Sequence, residues 1–241
     1  MTPPALLGHD VQKRRVVWPE AWRIIASRYP PINLFERVTT NPAVWETLIE
    51  LEQLTNPRIR DEAGEIALVP AARRVAGSNA SWVMAAFTHV NKGGSRFSDG
   101  SYGVYYAAEG LLTAIKETAF HWARFAANSH DPPGRREDMR VLLGSIDCSF
   151  CEVDTLSGDD QRLVLDPASY AVSQIFGVNR RVAGSDGVSY PSVRHKGGRC
   201  VGAFWPNAVG IPIQERHLQY EWDGTKVARY FDFKDNEWII L

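Results

Sequence analysis

The sequence predicts an α+β fold, with several antiparallel strands, a few helices and no alternating βαβ series. Segments with apolar residues at helical spacing stand among apolar runs of strand length, and the chain beyond residue 187 is strand-like throughout. There Asp223-Gly224 separates Leu218-Gln-Tyr-Glu-Trp from Lys226-Val-Ala-Arg-Tyr-Phe, which is a hairpin signal.

In chain order, residues 18–26 read as a short helix ended by Tyr29-Pro30-Pro31. Asn41-Pro42 reads as a helix entry, because proline at the first helical position loses no hydrogen bond. Val44, Trp45, Leu48, Ile49 and Leu51 then recur at helical spacing until Asn56-Pro57. Residues 58–80 are polar and read as a loop-rich connection. Residues 82–90 form an apolar run of strand length, followed by a glycine- and serine-rich loop over 92–103 and a short strand over 104–107. Leu111, Leu112, Ile115, Ala119, Trp122 and Phe125 make the stripe of a helix over 110–127. A charged, turn-rich break over 128–137 precedes a strand over 141–147. Asp166-Pro167 opens a helix that ends near Ala183-Gly184, and strands over 188–190 and 199–205 lead to the hairpin. The organisation predicted is an N-terminal extension over 1–81, mostly helix and loop, followed by a domain over 82–241.

Composition excludes several classes of function. The 241 residues carry 27 basic and 28 acidic side chains, a net charge of −1, which is against a dedicated nucleic-acid binder. At 44% hydrophobic and 23% charged the chain is globular. No stretch of 18 apolar residues is present to span a membrane. Lys13, Arg14 and Arg15 are followed by Trp18-Pro-Glu-Ala-Trp-Arg and not by the apolar core of a secretory signal. Three cysteines make no disulfide framework, and the odd count favours a reducing compartment, so the cytoplasm is expected. Cys148-Ser-Phe-Cys151 has the spacing of a zinc or redox pair with Cys200 as a third thiol, but a second pair is missing. Two buried thiols at a strand end are expected, and no metal.

Phosphate-loop, dinucleotide, zinc-protease and nucleophile-elbow motifs are all absent from the sequence. The informative block runs from Gly93 to His121. Arg96 stands in Gly93-Gly94-Ser95-Arg96-Phe97-Ser98-Asp99-Gly100, where it either grips a phosphate through paired charged hydrogen bonds or stands solvated on a surface loop. Tyr106 follows on a strand. Glu117 follows on a helix, four positions before His121, so both point the same way. Glu117 is either near the buried face or exposed and paired with Lys116 or Arg124; His121 reads as a structural hydrogen-bonding residue. Downstream, Tyr190-Pro191-Ser192-Val193-Arg194 places a serine and an arginine after a short strand, as a presented hydroxyl or a plain turn.

Taken together, these residues resemble the RES domain family, named for an arginine, a glutamate and a serine in that order. Arg96-Phe97-Ser98 stands for the family's Gly-Arg-Trp-Asn run, Tyr106-Ala107-Ala108 for its Tyr-x-Ala strand end, and Ala114 through Glu117 to His121 for its Ala-x-x-Glu-x-x-x-His. Ser192 matches the late Pro-Ser. Phe97 replaces a tryptophan and keeps an aromatic plate, whereas Ser98 replaces an asparagine and shortens a polar reach. The resemblance covers roughly residues 82–215.

The resemblance implies a compact β core similar to that of ADP-ribosyltransferases, with flanking helices, and the toxin of a toxin–antitoxin pair that consumes NAD⁺. It implies NAD⁺ as substrate, no metal, and as partner an Xre-type helix-turn-helix antitoxin that plugs the cleft. It also implies hydrolysis or phosphorolysis of NAD⁺, or ADP-ribose transfer to a protein. A non-enzymatic ligand- or partner-binding module stays open as the alternative. On this reading Glu117 is the carboxylate beside the ribose, Arg96 holds the pyrophosphate, and Tyr106 stacks on the nicotinamide or ribose. Ser192 hydrogen-bonds the nicotinamide-ribose end, and Arg194 is a second phosphate contact. Arg37 is a further one, with a structural role as its alternative.

Overall fold

The structure is a computed structural model that describes residues 11–29, 41–53 and 64–241. Eight strands and five α-helices are formed by the described residues. In order they are β1 (Lys13–Ala26), α1 (Trp45–Gln53), α2 (Ala80–Thr88), β2 (Tyr105–Ala108), α3 (Leu111–Asn128), β3 (Arg136–Glu152), α4 (Gly158–Val164), α5 (Ala171–Val182), β4 (Gly187–Pro191), β5 (Arg199–Ala203), β6 (Ile213–Trp222), β7 (Val227–Asp232) and β8 (Glu237–Ile240). No helix among the described residues is long and apolar enough to cross a membrane.

The strand order is β1-β2-β5-β4-β3-β6-β7-β8, and a further pairing of β1 with β3 closes the first five strands into a ring. From β3 the sheet continues outward through β6, β7 and β8. Every pairing is antiparallel except β3 with β4, and that connection runs through α4 and α5, the long crossover a parallel pair requires. The fold is α+β, as expected.

Two apolar clusters hold the sheet. In one, Ile115, Ala119, Trp122 and Ala126 of α3 join Val141, Leu218, Tyr220, Trp222 and Tyr230. In the other, Trp45, Ile49, Val83, Met84 and Phe87 join Val16, Trp18, Ile146, Phe150 and Val201. Fully buried Trp45, in α1, belongs to this second cluster.

Two elements differ from expectation. Residues 18–26 are not a helix but the second half of β1, paired with β3 from Lys13↔Cys151 to Ala26↔Met139. A register shift between Trp18 and Ala21, at Pro19, breaks the alternation, so buried Trp18, Ala21 and Ile24 recur every third residue and imitate helical spacing. Residues 82–90 are not a strand: Ala80–Thr88 is α2, with Ala80, Val83, Met84, Phe87 and Thr88 buried. A helix covered on most sides shows a short, nearly continuous apolar run, which periodicity alone does not separate from a buried strand.

Smaller differences are local. Asp166-Pro167 does not open α5; Asp166 instead accepts bonds from the amides of Ala168 (2.7 Å) and Ser169 (3.2 Å), and the helix begins at Ala171. The hairpin forms where expected but with a four-residue turn, since Trp222 pairs with Val227 and Asp223 Oδ1 accepts from the amides of Thr225 and Lys226. The predicted helix stop at Asn56-Pro57 lies outside the described residues, as does Arg37.

Candidate active site

The loop before β2 is tied by its own polar groups. Asn91 Oδ1 accepts from Gly93 N, and Ser95 N donates to Ser98 O at 2.8 Å. Gly94 has φ +76°, and a Cβ there would meet Ser98 O at 2.5 Å, so only glycine fits. Phe97 is fully buried, edge-on to Tyr190 with centroids 4.9 Å apart, and fills core rather than offering a plate to a ligand. The buried Ser98 hydroxyl donates to Tyr102 O at 2.6 Å, closing the loop on itself.

Wedging Phe97 inward turns the neighbouring Arg96 the other way. Its guanidinium lies over the Tyr170 ring at 4.6 Å, and Nη1 donates to Asp166 O (3.1 Å) and Val164 O (3.4 Å) beyond and at the end of α4. Arg96 is therefore buried and held. Its Nε and Nη2 form no hydrogen bond among the described residues.

Tyr106 reaches back from β2 to the same loop. Its hydroxyl accepts from Phe97 N at 3.0 Å and bonds Ser95 Oγ at 2.8 Å, while burial pushes its pKa up to about 12. Its ring sits beside Gly202 of β5, where an added Cβ would meet Tyr106 Cε1 at 3.1 Å.

Glu117 projects from the second turn of α3. Ser192 Oγ donates to Glu117 Oε1 at 2.6 Å and accepts from the amides of Arg194 (3.2 Å) and His195 (2.9 Å). With both acceptor sites of the hydroxyl filled by amides, its one proton points at the carboxylate. The turn after β4 is tied a second time to α3, where Thr113 Oγ1 and His195 Nδ1 lie 2.8 Å apart.

Arg96, Tyr106 and Glu117 line one cavity of about 390 Å³, together with His121, Tyr170 and Tyr190. Ser192 stands behind Glu117 and not on the cavity wall, and Arg194 turns outward, with its guanidinium 3.4 Å from the Phe120 ring and Nη2 donating to Pro167 O at 2.6 Å. The geometry thus brings three of the five expected residues to one cavity, makes the fourth a support for Glu117, and leaves the fifth outside.

Sequence reasoning missed Arg23. It lies on β1, stacks over Tyr105 at 4.3 Å and donates from Nη1 to Tyr106 O at 3.0 Å; its Nε is buried with no partner among the described residues. It lines both this cavity and an adjoining larger one of about 1010 Å³, which also share Tyr106, Ser95 and Gly94. Burial lowers its pKa from a value so high that it stays cationic. No motif pointed to Arg23, because its segment carried the spacing of a helix.

His121 stands at the same wall, where partial loss of surrounding water lowers its pKa below the ordinary 6.5, opposed by Glu117 and assisted by Arg194, Arg124 and Arg96. The cavity thus offers one carboxylate, two guanidinium groups, stacked rings and a histidine weakly basic at neutral pH. That set suits a ligand with an anionic part and a part that develops positive charge. Among the thiols, Cys151 is buried and donates to Ser185 Oγ, while Cys200 lines the cavity with its pKa raised by burial. No cluster of three or more metal-ligating side chains occurs among the described residues.

The family model of the RES domain matches residues 71–223. The chain is 27% identical over 221 residues to the protein y4oC of Sinorhizobium fredii (strain NBRC 101917 / NGR234), covering 90% of this chain and 88% of that protein. Among solved structures it is similar to a chain of the Mycobacterium tuberculosis MbcT–MbcA toxin–antitoxin complex, with TM-score 0.45, 9% identity and 87% of each chain covered.

Proposed function

The chain belongs to the RES domain family, and from that premise we propose that it is the toxin of a toxin–antitoxin pair that cleaves the nicotinamide–ribose bond of NAD⁺. The observation that carries the proposal is the convergence of Glu117, Arg96 and Tyr106 on one cavity that opens beside a second, larger one. Pockets of this size take small ligands and cofactors.

Breaking the bond passes through an oxocarbenium-like state at the ribose, as in glycoside cleavage. Nicotinamide is cationic in NAD⁺ and leaves neutral with the bonding electron pair, so no general acid is required. One carboxylate beside the sugar suffices, binding a hydroxyl and favouring the developing positive charge. Glu117 has that role, and Ser192 fixes its direction. Arg96 and Arg23 hold the diphosphate between them, and Tyr106 faces the nicotinamide-ribose end. Water or phosphate then attacks the sugar carbon: water loses a proton and gives ADP-ribose, and phosphate gives ADP-ribose phosphorylated at that carbon.

An Xre-type helix-turn-helix antitoxin is the partner this reading supplies. Mixing the purified protein with NAD⁺ and following free nicotinamide tests the activity, and expression without the partner should lower cellular NAD⁺ as growth stops. NAD⁺ that stays intact in both experiments rejects the proposal.

A further inference from the structure

The flank of α3 next to the one that carries Glu117 borders a groove of about 440 Å³ against the β6–β7 hairpin. Lys116 and Arg124 of α3, Arg194 of the turn after β4 and Lys226 of the hairpin line it, and no aspartate or glutamate does. None of these four cations forms a salt bridge to a described residue, although exposed Arg15, Arg136 and Lys234 and half-buried Arg229 all do. Arg124 and Arg194 share the Phe120 ring, at 5.9 and 3.4 Å, and Arg194 Nε is buried with no partner among the described residues. Like charges gathered with no acidic side chain among them repel one another, so an anionic occupant gains at each of them. The floor between them is apolar, formed by Ala119, Ala123 and Val227.

We propose that this groove docks an extended acidic segment of a protein partner, with carboxylates at the four cations and apolar side chains on the floor. The inference builds on the toxin–antitoxin reading, which makes that partner the inhibitor. From Lys116 to Ala127 the helix rises about 16 Å, enough for about five residues of extended chain. A net charge of −1 over the whole molecule gives no general attraction to a long polyanion, which favours a short acidic peptide. At the Arg194 end the groove adjoins Phe120 and His121, so a bound segment passes beside the cavity that holds Glu117.

The test uses an array of immobilised ten-residue peptides that vary in Asp/Glu, Lys/Arg and Leu content, with a single-stranded oligonucleotide alongside. Peptides with three or more carboxylates interleaved with leucine should capture the full chain, and less of it as salt rises. The combined change Lys116→Glu, Arg124→Glu and Lys226→Glu should weaken capture at least tenfold at an unchanged melting temperature, and Lys226→Glu alone by a smaller factor in the same direction. Capture that ignores carboxylates, an absence of capture, a preference for the oligonucleotide, or full binding by Lys226→Glu and the triple variant overturns the proposal. Because capture needs no NAD⁺ turnover, its failure is distinct from failure of the proposed activity.

Discussion

Replacing Ser192 by alanine separates support of Glu117 from contact with substrate. The serine hydroxyl donates to Glu117 at 2.6 Å and accepts from two amides at 3.2 and 2.9 Å, so its loss frees the carboxylate and opens the turn. A hydrogen bond to a charged group contributes about 1.5–3 kcal/mol. If that energy holds Glu117 in its reactive direction, nicotinamide release at saturating NAD⁺ should slow by roughly 10- to 150-fold. Water can reach part of the turn, so the stability loss should be about 1–2 kcal/mol, a fall of roughly 2–8 °C in melting temperature. Initial rates across NAD⁺ concentrations, with a thermal melt on the same sample, measure both. A parent-like kcat with a raised KM would mean that Ser192 touches substrate instead, and an unchanged kcat and KM would make the bond to Glu117 irrelevant to turnover.

Three other perturbations have defined outcomes. The His121 ring, followed by NMR through a pH titration, should titrate below 6.5, and lower still in Glu117→Gln, because the Glu117 charge raises it. As pH falls below 6.5 the unfolded chain binds a proton before the folded one, so stability should drop in that window and His121→Gln should drop less; a ring titrating above 6.5 contradicts the assigned environment. Gly177→Ala would place a Cβ 2.2 Å from Phe97 O, so the loop must shift, at about 1–3 kcal/mol, and NAD⁺ affinity should fall with Arg96 displaced; unchanged affinity dissociates the loop from the ligand. Tyr106→Phe leaves the Phe97 amide without its acceptor, for an expected loss of about 1–3 kcal/mol in a denaturant melt, and a melt identical to the parent removes that bond from the account.

Much of this architecture is legible in the chain because the signals are local. The stripe of α3, the glycine-rich loop before β2 and the Asp223-Gly224 hairpin each follow from spacing or turn chemistry within a few residues. β1 and α2 differ from the sequence expectation for opposite reasons. A bulge at Pro19 gives a strand the spacing of a helix, and burial on most sides gives a helix the apolar run of a strand. The site divides in the same way. Arg96, Tyr106 and Glu117 stand within 22 residues of one another, and their order carries the family pattern. Arg23 joins them only through the pairing of β1 with β2 at Trp22↔Ala108, a contact between residues 86 positions apart. Nor does sequence tell that Phe97 points into the core while its neighbour Arg96 faces the cavity. That choice is made by Tyr190, Phe176 and Gly177 on distant elements.

In the proposed complex the sugar of NAD⁺ lies against Glu117, with the diphosphate between Arg96 and Arg23. A crystal structure of the Glu117→Gln variant soaked with NAD⁺ tests it directly. An uncleaved dinucleotide is expected, with a ribose hydroxyl within hydrogen-bond distance of residue 117 and phosphate oxygens on Arg96 and Arg23. A dinucleotide seated elsewhere, or in this cavity with its ribose away from residue 117, would contradict it.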